Sequence, residues 1–106
     1  MIKVVNLYTP EQQAQGLIGL KPIPTDTIWV FHSVKPGTVF HSRGVLENFD
    51  IECLNNRLEC LGIQSVHSPD EVVEVPPGTS FVVESALGVL FCLTGDAVRS
   101  LVKANR

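Results

Sequence analysis

Apolar residues recur along the chain in short runs that proline and glycine separate. Most runs are rich in β-branched and aromatic residues, and several alternate with polar positions, a pattern typical of strands. The segment 27–32, T-I-W-V-F-H, is apolar on both faces and predicts a strand buried on both sides. The pattern predicts about seven short strands, at 2–8, 27–32, 38–41, 49–54, 57–61, 71–75 and 79–84, and the segment 66–68 ends a strand before Pro69.

Capping residues predict one or two short helices between these strands. Thr9 can cap a helix whose first residue is Pro10 and whose end lies near Gly16 or Gly19. Ser85 can cap a second helix over 86–91. The segment 97–102 fits either a helix or a strand. We therefore predict one domain spanning 1–106, mainly β within the α+β class. It would be a small β-barrel or sandwich of about seven strands.

The segment 49–61 predicts a hairpin with a two-residue turn at Asn55-Asn56. In that register Glu52 lies opposite Glu59, and the core face carries Phe49, Ile51, Cys53, Leu58 and Cys60. The outer face carries Asp50, Glu52 and Glu59, which we interpret as a solvated acidic surface rather than a divalent-metal site. Leu54 and Leu61 are predicted to be exposed on the hairpin, where they could form a homodimer contact.

Composition narrows the range of partners. The chain has 106 residues with 8 basic and 11 acidic side chains, a net charge of −3. This balance argues against nucleic-acid binding, and we interpret Arg99, Lys103 and Arg106 as a solvated tail. No apolar run resembles a signal peptide or a bilayer span, which predicts a cytoplasmic protein without membrane attachment. Three cysteines without C-x-x-C spacing fit a reducing compartment.

The order of several short motifs resembles a known family. Residues 11–18 read E-Q-Q-A-Q-G-L-I, residues 27–31 form an apolar strand, and Phe40 begins F-H-S-R-G. The segment 83–88 reads V-E-S-A-L-G, and Gly95-Asp96 follows. This order resembles the prokaryotic domain of unknown function 192 family, whose pattern departs from this chain at 41–44 and 47–49. The resemblance implies a divergent member with a compact β-barrel-like fold, and it implies no activity.

Four polar residues are the candidate binding site. His41, Arg43 and Asp50 lie on one loop and the strand after it, where Arg43 could bind an anion and Asp50 could orient His41 or Arg43. The alternative is a structural Arg43–Asp50 ion pair. Glu84 is predicted near a helix N-terminus, as a stabilising carboxylate or as a general acid or base.

These features favour a non-enzymatic module that binds a small molecule or a protein through the loop 41–50. One alternative is a small hydrolase or transferase that uses Asp50, His41 and Glu84. Another is a self-associating structural protein encoded by a phage or mobile element. No catalytic residue can be assigned, and no phosphate-binding or dinucleotide motif predicts a cofactor. The three histidines, His32, His41 and His67, lack metal-ligand spacing, so no metal is predicted.

Overall fold

The computed structural model describes residues 1–67 and 71–105. Within these ranges the chain forms seven strands and three helices. The strands are β1 (Lys3–Leu7), β2 (Thr27–Phe31), β3 (Val39–His41), β4 (Phe49–Leu54), β5 (Cys60–Val66), β6 (Val72–Glu74) and β7 (Phe81–Ala86). The helices are α1 (Pro10–Gln15), α2 (Val89–Cys92) and α3 (Gly95–Asn105).

The strands form one large and one small sheet. The large sheet has the order β1-β2-β7-β4-β5, and β3 pairs with β6 in a separate two-stranded ribbon. Strands β1 and β2 are parallel, and the other neighbours are antiparallel. The predicted α+β class with about seven strands is confirmed, with three helices rather than one or two. Because the described β1 and β5 remain the two edges of the large sheet, the fold is layered and contains no closed barrel.

Each face of the large sheet is covered by a different layer. On the side we call the ribbon face, the core includes Phe31, Phe49 and Val82, together with Val73 from the ribbon. On the opposite side, the helix face, Ile28, Val30 and Val83 pack with Leu90 of α2 and with Val98 and Val102 of α3. Because side chains alternate along a strand, adjacent residues of β2, β4 and β7 enter different layers.

Helix α1 begins as the sequence predicts. The Gln12 backbone N–H donates to Thr9 Oγ1 at 3.1 Å, and the Thr9 N–H donates to Gln12 Oε1 at 3.1 Å, which together form a capping box. The helix ends at Gly16, whose φ of +43° suits glycine. Gln13 Nε2 donates to the carbonyls of Leu7 and His32, so α1 is fastened to the ends of β1 and β2.

The predicted hairpin register is wrong, because the turn is wider than two residues. Asn55 Oδ1 accepts hydrogen bonds from the backbone N–H groups of Arg57 and Glu59. Leu58 adopts a φ of +64° and is buried in the core of the helix face. Strand β5 therefore begins at Cys60, and Glu52 lies opposite Ile63 rather than Glu59.

The predicted solvated acidic face is also wrong. Asp50, Glu52 and Leu54 are all buried, because α2 and α3 cover the helix face to which they point. Glu59 is exposed in the turn, and Leu61 is partly exposed at 37%. With Leu54 in the core, the predicted apolar contact of Leu54 and Leu61 is not available for a dimer.

The remaining predictions concern the chain ends and connections. The ambiguous segment 97–102 is helical and lies within α3, where Val98 and Val102 are buried. Strand β5 ends at Val66, and the predicted continuation to Ser68 and the terminal Arg106 lie outside the described residues. None of the described helices has the length and apolar character that a membrane-spanning helix needs.

Candidate functional site

A cavity of about 340 Å³ opens between α1, the ribbon and the ribbon face of the large sheet. Its walls come from four regions: α1, the loop after it, the ribbon with its following turn, and strands β2, β4 and β7. The lining residues include Gln13, Ala14, Gly16, Leu17, Ile18, Phe31, Phe40, His41, Val45, Phe49 and Glu84. The cavity is thus mostly apolar, with few polar groups.

Three phenylalanines form the aromatic part of the wall. Phe31 and Phe49 are buried on β2 and β4, and Phe40 lies half-buried on β3. The rings of Phe31 and Phe40 meet edge to face, with centroids 5.0 Å apart and an interplanar angle of 87°. This contact, favoured by the ring quadrupoles, joins the ribbon to the sheet beside the cavity.

Glu84 is the acidic residue of the cavity. It lies in β7, the central strand, between Trp29 of β2 and Ile51 of β4. Strand alternation places its side chain on the ribbon face with Val82 and Ala86. Glu84 is only 5% exposed, and no group among the described residues forms a hydrogen bond or an ion pair with its carboxyl.

The Glu84 carboxyl reaches the cavity rather than being sealed in the core. Among the described residues, every fully buried side-chain nitrogen or oxygen has a hydrogen-bond partner. Since the Glu84 carboxyl has none, its oxygens must keep some accessible surface, and the cavity is the space that Glu84 lines. The carboxyl is therefore placed to meet a molecule that enters the cavity.

Burial raises the pKa of the Glu84 carboxyl to about 8, because the charged form loses its hydration. At neutral pH most molecules then carry a neutral carboxyl, which can donate one hydrogen bond and accept others. The nearby Cys53 thiol has a pKa raised to about 11, chiefly by burial. Its thiolate is scarce at neutral pH, so Cys53 is a poor nucleophile.

Of the other predicted site residues, only His41 shares the cavity with Glu84. His41 is the exposed last residue of β3 and lies at the rim. The turn that follows is anchored by Ser42, whose Oγ accepts from the Glu71 N–H at 2.8 Å and donates to the His67 carbonyl at 3.1 Å. Arg43 lies exposed on this turn and does not line the cavity.

Asp50 has a structural position on the opposite side of the sheet. It is fully buried on the helix face, where its carboxylate accepts from Ser65 Oγ at 3.1 Å and from the Gly88 N–H at 2.9 Å. In the described part of the chain no ion pair joins Arg43 to Asp50. The predicted loop site and the predicted Asp50, His41 and Glu84 constellation are therefore not formed.

The prediction for Glu84 also needs correction. Glu84 is an interior residue of β7 rather than a residue at a helix N-terminus, because the strand continues to Ala86. The helix start lies further along, and there the Leu90 N–H donates to Ser85 Oγ at 3.2 Å. Glu84 thus has no helix dipole to stabilise its charge.

Most of the cavity wall was missed by sequence reasoning. Two glycines, Gly16 and Gly44, were the available signal for this wall, because each allows its backbone to adopt a positive φ and to lie close to a neighbouring side chain. A Cβ on Gly16 would lie 3.4 Å from Phe31 Cζ, and one on Gly44 would lie 3.3 Å from Ile18 Cγ2. The Gly19 N–H also donates to the Gly44 carbonyl at 3.2 Å. These contacts bring the loop after α1 against the turn after β3 and close one side of the cavity.

The fold is similar to those of two bacterial proteins of known crystal structure. One is a protein of unknown function from Novosphingobium aromaticivorans DSM 12444, with a TM-score of 0.74 and 18% identity over 85% of this chain and 66% of that chain. The other is a "putative transcription regulator" from Sinorhizobium meliloti 1021, with a TM-score of 0.73 and 15% identity over 83% of this chain and 70% of that chain. At these identities the likeness shows the fold alone. No protein-family model and no curated protein matches the sequence.

Proposed function

We propose that this domain is a non-enzymatic binding module whose cavity holds one small molecule. The ligand has an apolar body that contacts the phenylalanine wall and one polar group that pairs with Glu84. The observation that carries this proposal is the Glu84 carboxyl, which is buried, faces the cavity and has no partner among the described residues. A ligand that supplies the partner removes the penalty of leaving a buried polar group unsatisfied.

The size and lining of the cavity support a small ligand. A cavity of about 340 Å³ lies at the lower end of the range of roughly 300–1,000 Å³ found for ligand sites. Apolar walls with a few polar groups are also typical of such sites. An apolar cavity of about 150 Å³ already admits benzene, so this one has room for a six-membered ring with a polar substituent.

Binding is better supported than catalysis. A hydrolase or transferase needs a nucleophile or a base with a partner that orients it. Here Asp50 lies on the opposite face, and burial suppresses the Cys53 thiolate. His41 is at the rim and forms no hydrogen bond with Glu84 among the contacts of the described residues.

A fragment screen tests the proposal. Cyclohexyl compounds that bear an amine, an alcohol, a carboxamide or a carboxylate are added to the ¹⁵N-labelled protein. We expect at least one of them to shift the backbone amide resonances of Gly16, Phe40 and Val45, with saturable dependence on concentration. If none of the four shifts these resonances at millimolar concentration, the proposed function is wrong.

Ala14 offers a matched control for the screen. It lines the cavity from α1 yet is exposed on the helix surface, so Ala14→Trp can fill the entrance while helix packing is retained. We expect Ala14→Trp to abolish the shifts with little change in melting temperature. Equal shifts in this variant would place the binding outside the cavity and contradict the proposal.

We also propose that the chain is a divergent member of the domain of unknown function 192 family. Support comes from where the resembling residues lie: Gly16, Phe31, Phe40 and Glu84 line the cavity, and the Gly88 N–H binds Asp50. An alignment of this chain with its own relatives would contradict membership if the acid at Glu84 and the glycine at Gly16 vary freely.

A cytoplasmic location is a further part of the proposal, supported by the free thiols of Cys53, Cys60 and Cys92. Detection of the mature protein in an oxidising compartment would contradict it.

Regulation of transcription is named only for the Sinorhizobium protein. The net charge of −3 does not favour direct contact of this chain with nucleic acid.

A further inference from the structure

The charge balance of the cavity narrows the chemistry of its ligand. No lysine or arginine is among the described lining residues, and Glu84 is the acidic group. His41 is at the rim, where solvent reaches it. A ligand carboxylate or phosphate would therefore meet a carboxyl group and aromatic rings, with no basic side chain from the lining to neutralise it.

The aromatic wall favours the opposite sign of charge. The faces of phenylalanine rings carry negative partial charge and attract ammonium groups, more strongly where water is excluded. Phe31, Phe40 and Phe49 line the same cavity as Glu84. A cation bound in this cavity would thus lie near both aromatic rings and a carboxylate, whereas a neutral hydroxyl group gains little from either.

We propose that the ligand is a small organic amine, whose ammonium group forms an ion pair with Glu84 while its apolar body packs on Phe31, Phe40 and Phe49. This inference rests on the proposed function and names the ligand class of the same cavity. The amine supplies the positive charge that the described residues do not provide to Glu84.

Binding is coupled to loss of a proton. When the ammonium ion enters, the neutral Glu84 carboxyl releases its proton to solvent, and the carboxylate stays behind as the partner of the cation. The other titratable groups near Glu84 are Cys53, on β4 across the ribbon face, and His41, on the ribbon. The neighbouring β2 contributes apolar Trp29 and Phe31.

The direction of the pH effect follows from this coupling. Burial holds the pKa of Glu84 at about 8 in the free protein. Below that pH each binding event must remove a proton, so the affinity for an amine rises about tenfold per pH unit and levels off above pH 8. An alkyl amine keeps its charge over this range, because its own pKa lies near that of lysine, at about 10.4.

Two probes of nearly equal shape test the inference. Cyclohexylmethylamine and cyclohexylmethanol are titrated into the protein by calorimetry at pH 6, 7 and 8. We expect the amine to bind at least tenfold more tightly than the alcohol at pH 8 and to lose roughly 50-fold of that affinity by pH 6. The affinity of the alcohol should change by less than threefold.

Two variants distinguish the contribution of the carboxylate to binding from that of the rings, and two further variants are controls. Glu84→Gln preserves shape and cannot ionise, so we expect it to bind amine and alcohol within threefold of each other at every pH. Phe40→Leu, at a half-buried position of the ribbon, should weaken the amine several-fold and the alcohol much less. Glu74→Gln, an exposed acid on β6, should behave as the unaltered protein. His41→Gln should retain the pH dependence of amine binding.

The outcomes distinguish this inference from the proposed function. Equal affinity for amine and alcohol, or a flat pH profile, would overturn the amine assignment and leave a binding module with a different ligand class. If neither probe binds and the fragment screen is also negative, the proposed function itself fails. If Glu84→Gln does not fold, the pH profile and the Phe40→Leu comparison still decide the question.

Discussion

At the scale of single residues, Glu84 is the costly feature of this molecule. Its neighbours across the sheet are Trp29 and Ile51, and it lies in the central strand with no partner among the described residues. Transfer of a carboxylate into such an environment is unfavourable, and the group responds by retaining its proton. A titrating acid is thus built into the centre of the fold.

This acid should make stability depend on pH. The folded protein holds the Glu84 proton up to a pH of about 8, whereas the unfolded chain releases it near the ordinary pKa of glutamate, about 4.3. Between these values the folded state binds more protons, so the free energy of unfolding falls as pH rises, by about 1.4 kcal/mol per unit from this residue. Above pH 8 the loss is complete.

We predict that Glu84→Gln removes this contribution. The stability difference, variant minus unaltered protein, should grow between pH 5 and pH 8 by an amount on the order of 2–4 kcal/mol. Urea denaturation at pH 5, 6.5 and 8 measures it, with Glu74→Gln as the control at an exposed strand position. A difference that stays constant with pH would show that Glu84 ionises freely in the folded protein.

The sequence predicted two residues of the cavity but not the face of the sheet on which the cavity lies. His41 and Glu84 do share a cavity, but local patterns could not reveal which face of a strand buried on both sides carries each residue. In F-V-V-E-S-A the apolar residues at 82 and 83 enter different layers. Glu84 therefore faces the cavity while the adjacent Ser85 faces the helices. That assignment depends on strand pairing, which is non-local.

At the scale of elements, the hairpin of β4 and β5 shows why its register could not be read from alternation. A tight turn at Asn55-Asn56 and the observed wider turn both place Cys53 on a core face. They differ in Leu58, which the tight turn places on the same face as Cys53, whereas the wider turn buries it with Leu54 beneath α2 and α3. The helices that cover Leu58 favour the wider turn. The sequence predicts a second helix only over 86–91 and leaves 97–102 as either helix or strand, so it does not reveal this cover.

Asp50 connects three of these elements. Its carboxylate on β4 accepts hydrogen bonds from Ser65 on β5 and from the Gly88 N–H that precedes α2. Loss of this acceptor leaves two half-buried donors, the Ser65 hydroxyl and the Gly88 N–H, without their partner. By contrast, Arg43 is exposed on a turn outside the cavity. Arg43 and Asp50, which the sequence predicts as a pair, thus have separate roles.

We predict that Asp50→Ala lowers the free energy of unfolding by about 2–4 kcal/mol, whereas Arg43→Ala changes it by less than about 0.5 kcal/mol. Guanidinium denaturation of the two variants measures the contrast. Since neither residue touches the cavity, affinity for the amine probe should be unchanged in Arg43→Ala. A stable Asp50→Ala variant that no longer binds the amine probe would instead show that Asp50 contributes to the binding site.

At the scale of the whole molecule, the two faces of the large sheet differ in how completely they are filled. The helix face is closed by α2, α3 and Leu58. The ribbon face is covered by the two short strands of the ribbon, the short helix α1 and connecting loops, and it contains the cavity. The mixed α+β class could be predicted from short apolar runs and turn residues. The separation into two layers could not, because it depends on which strands become neighbours.

Labelling of the three free thiols can test whether the layers on the helix face and the ribbon face unfold together. Cys60 and Cys92 are exposed and should react with Ellman's reagent in the folded protein. Cys53 is buried on the ribbon face, and burial raises its pKa to about 11. We predict two rapidly reacting thiols and one that reacts only after the protein opens.

The urea dependence of Cys53 labelling then identifies the opening event. In a variant with Cys60→Ser and Cys92→Ser, cooperative unfolding of both layers requires the labelling rate to rise with urea as steeply as the unfolding equilibrium does. An amine at 100 times its dissociation constant should slow labelling about 100-fold, because it binds only the folded state. Labelling independent of urea but still slowed by amine would mean that the ribbon detaches alone, and that the ligand holds it against the sheet.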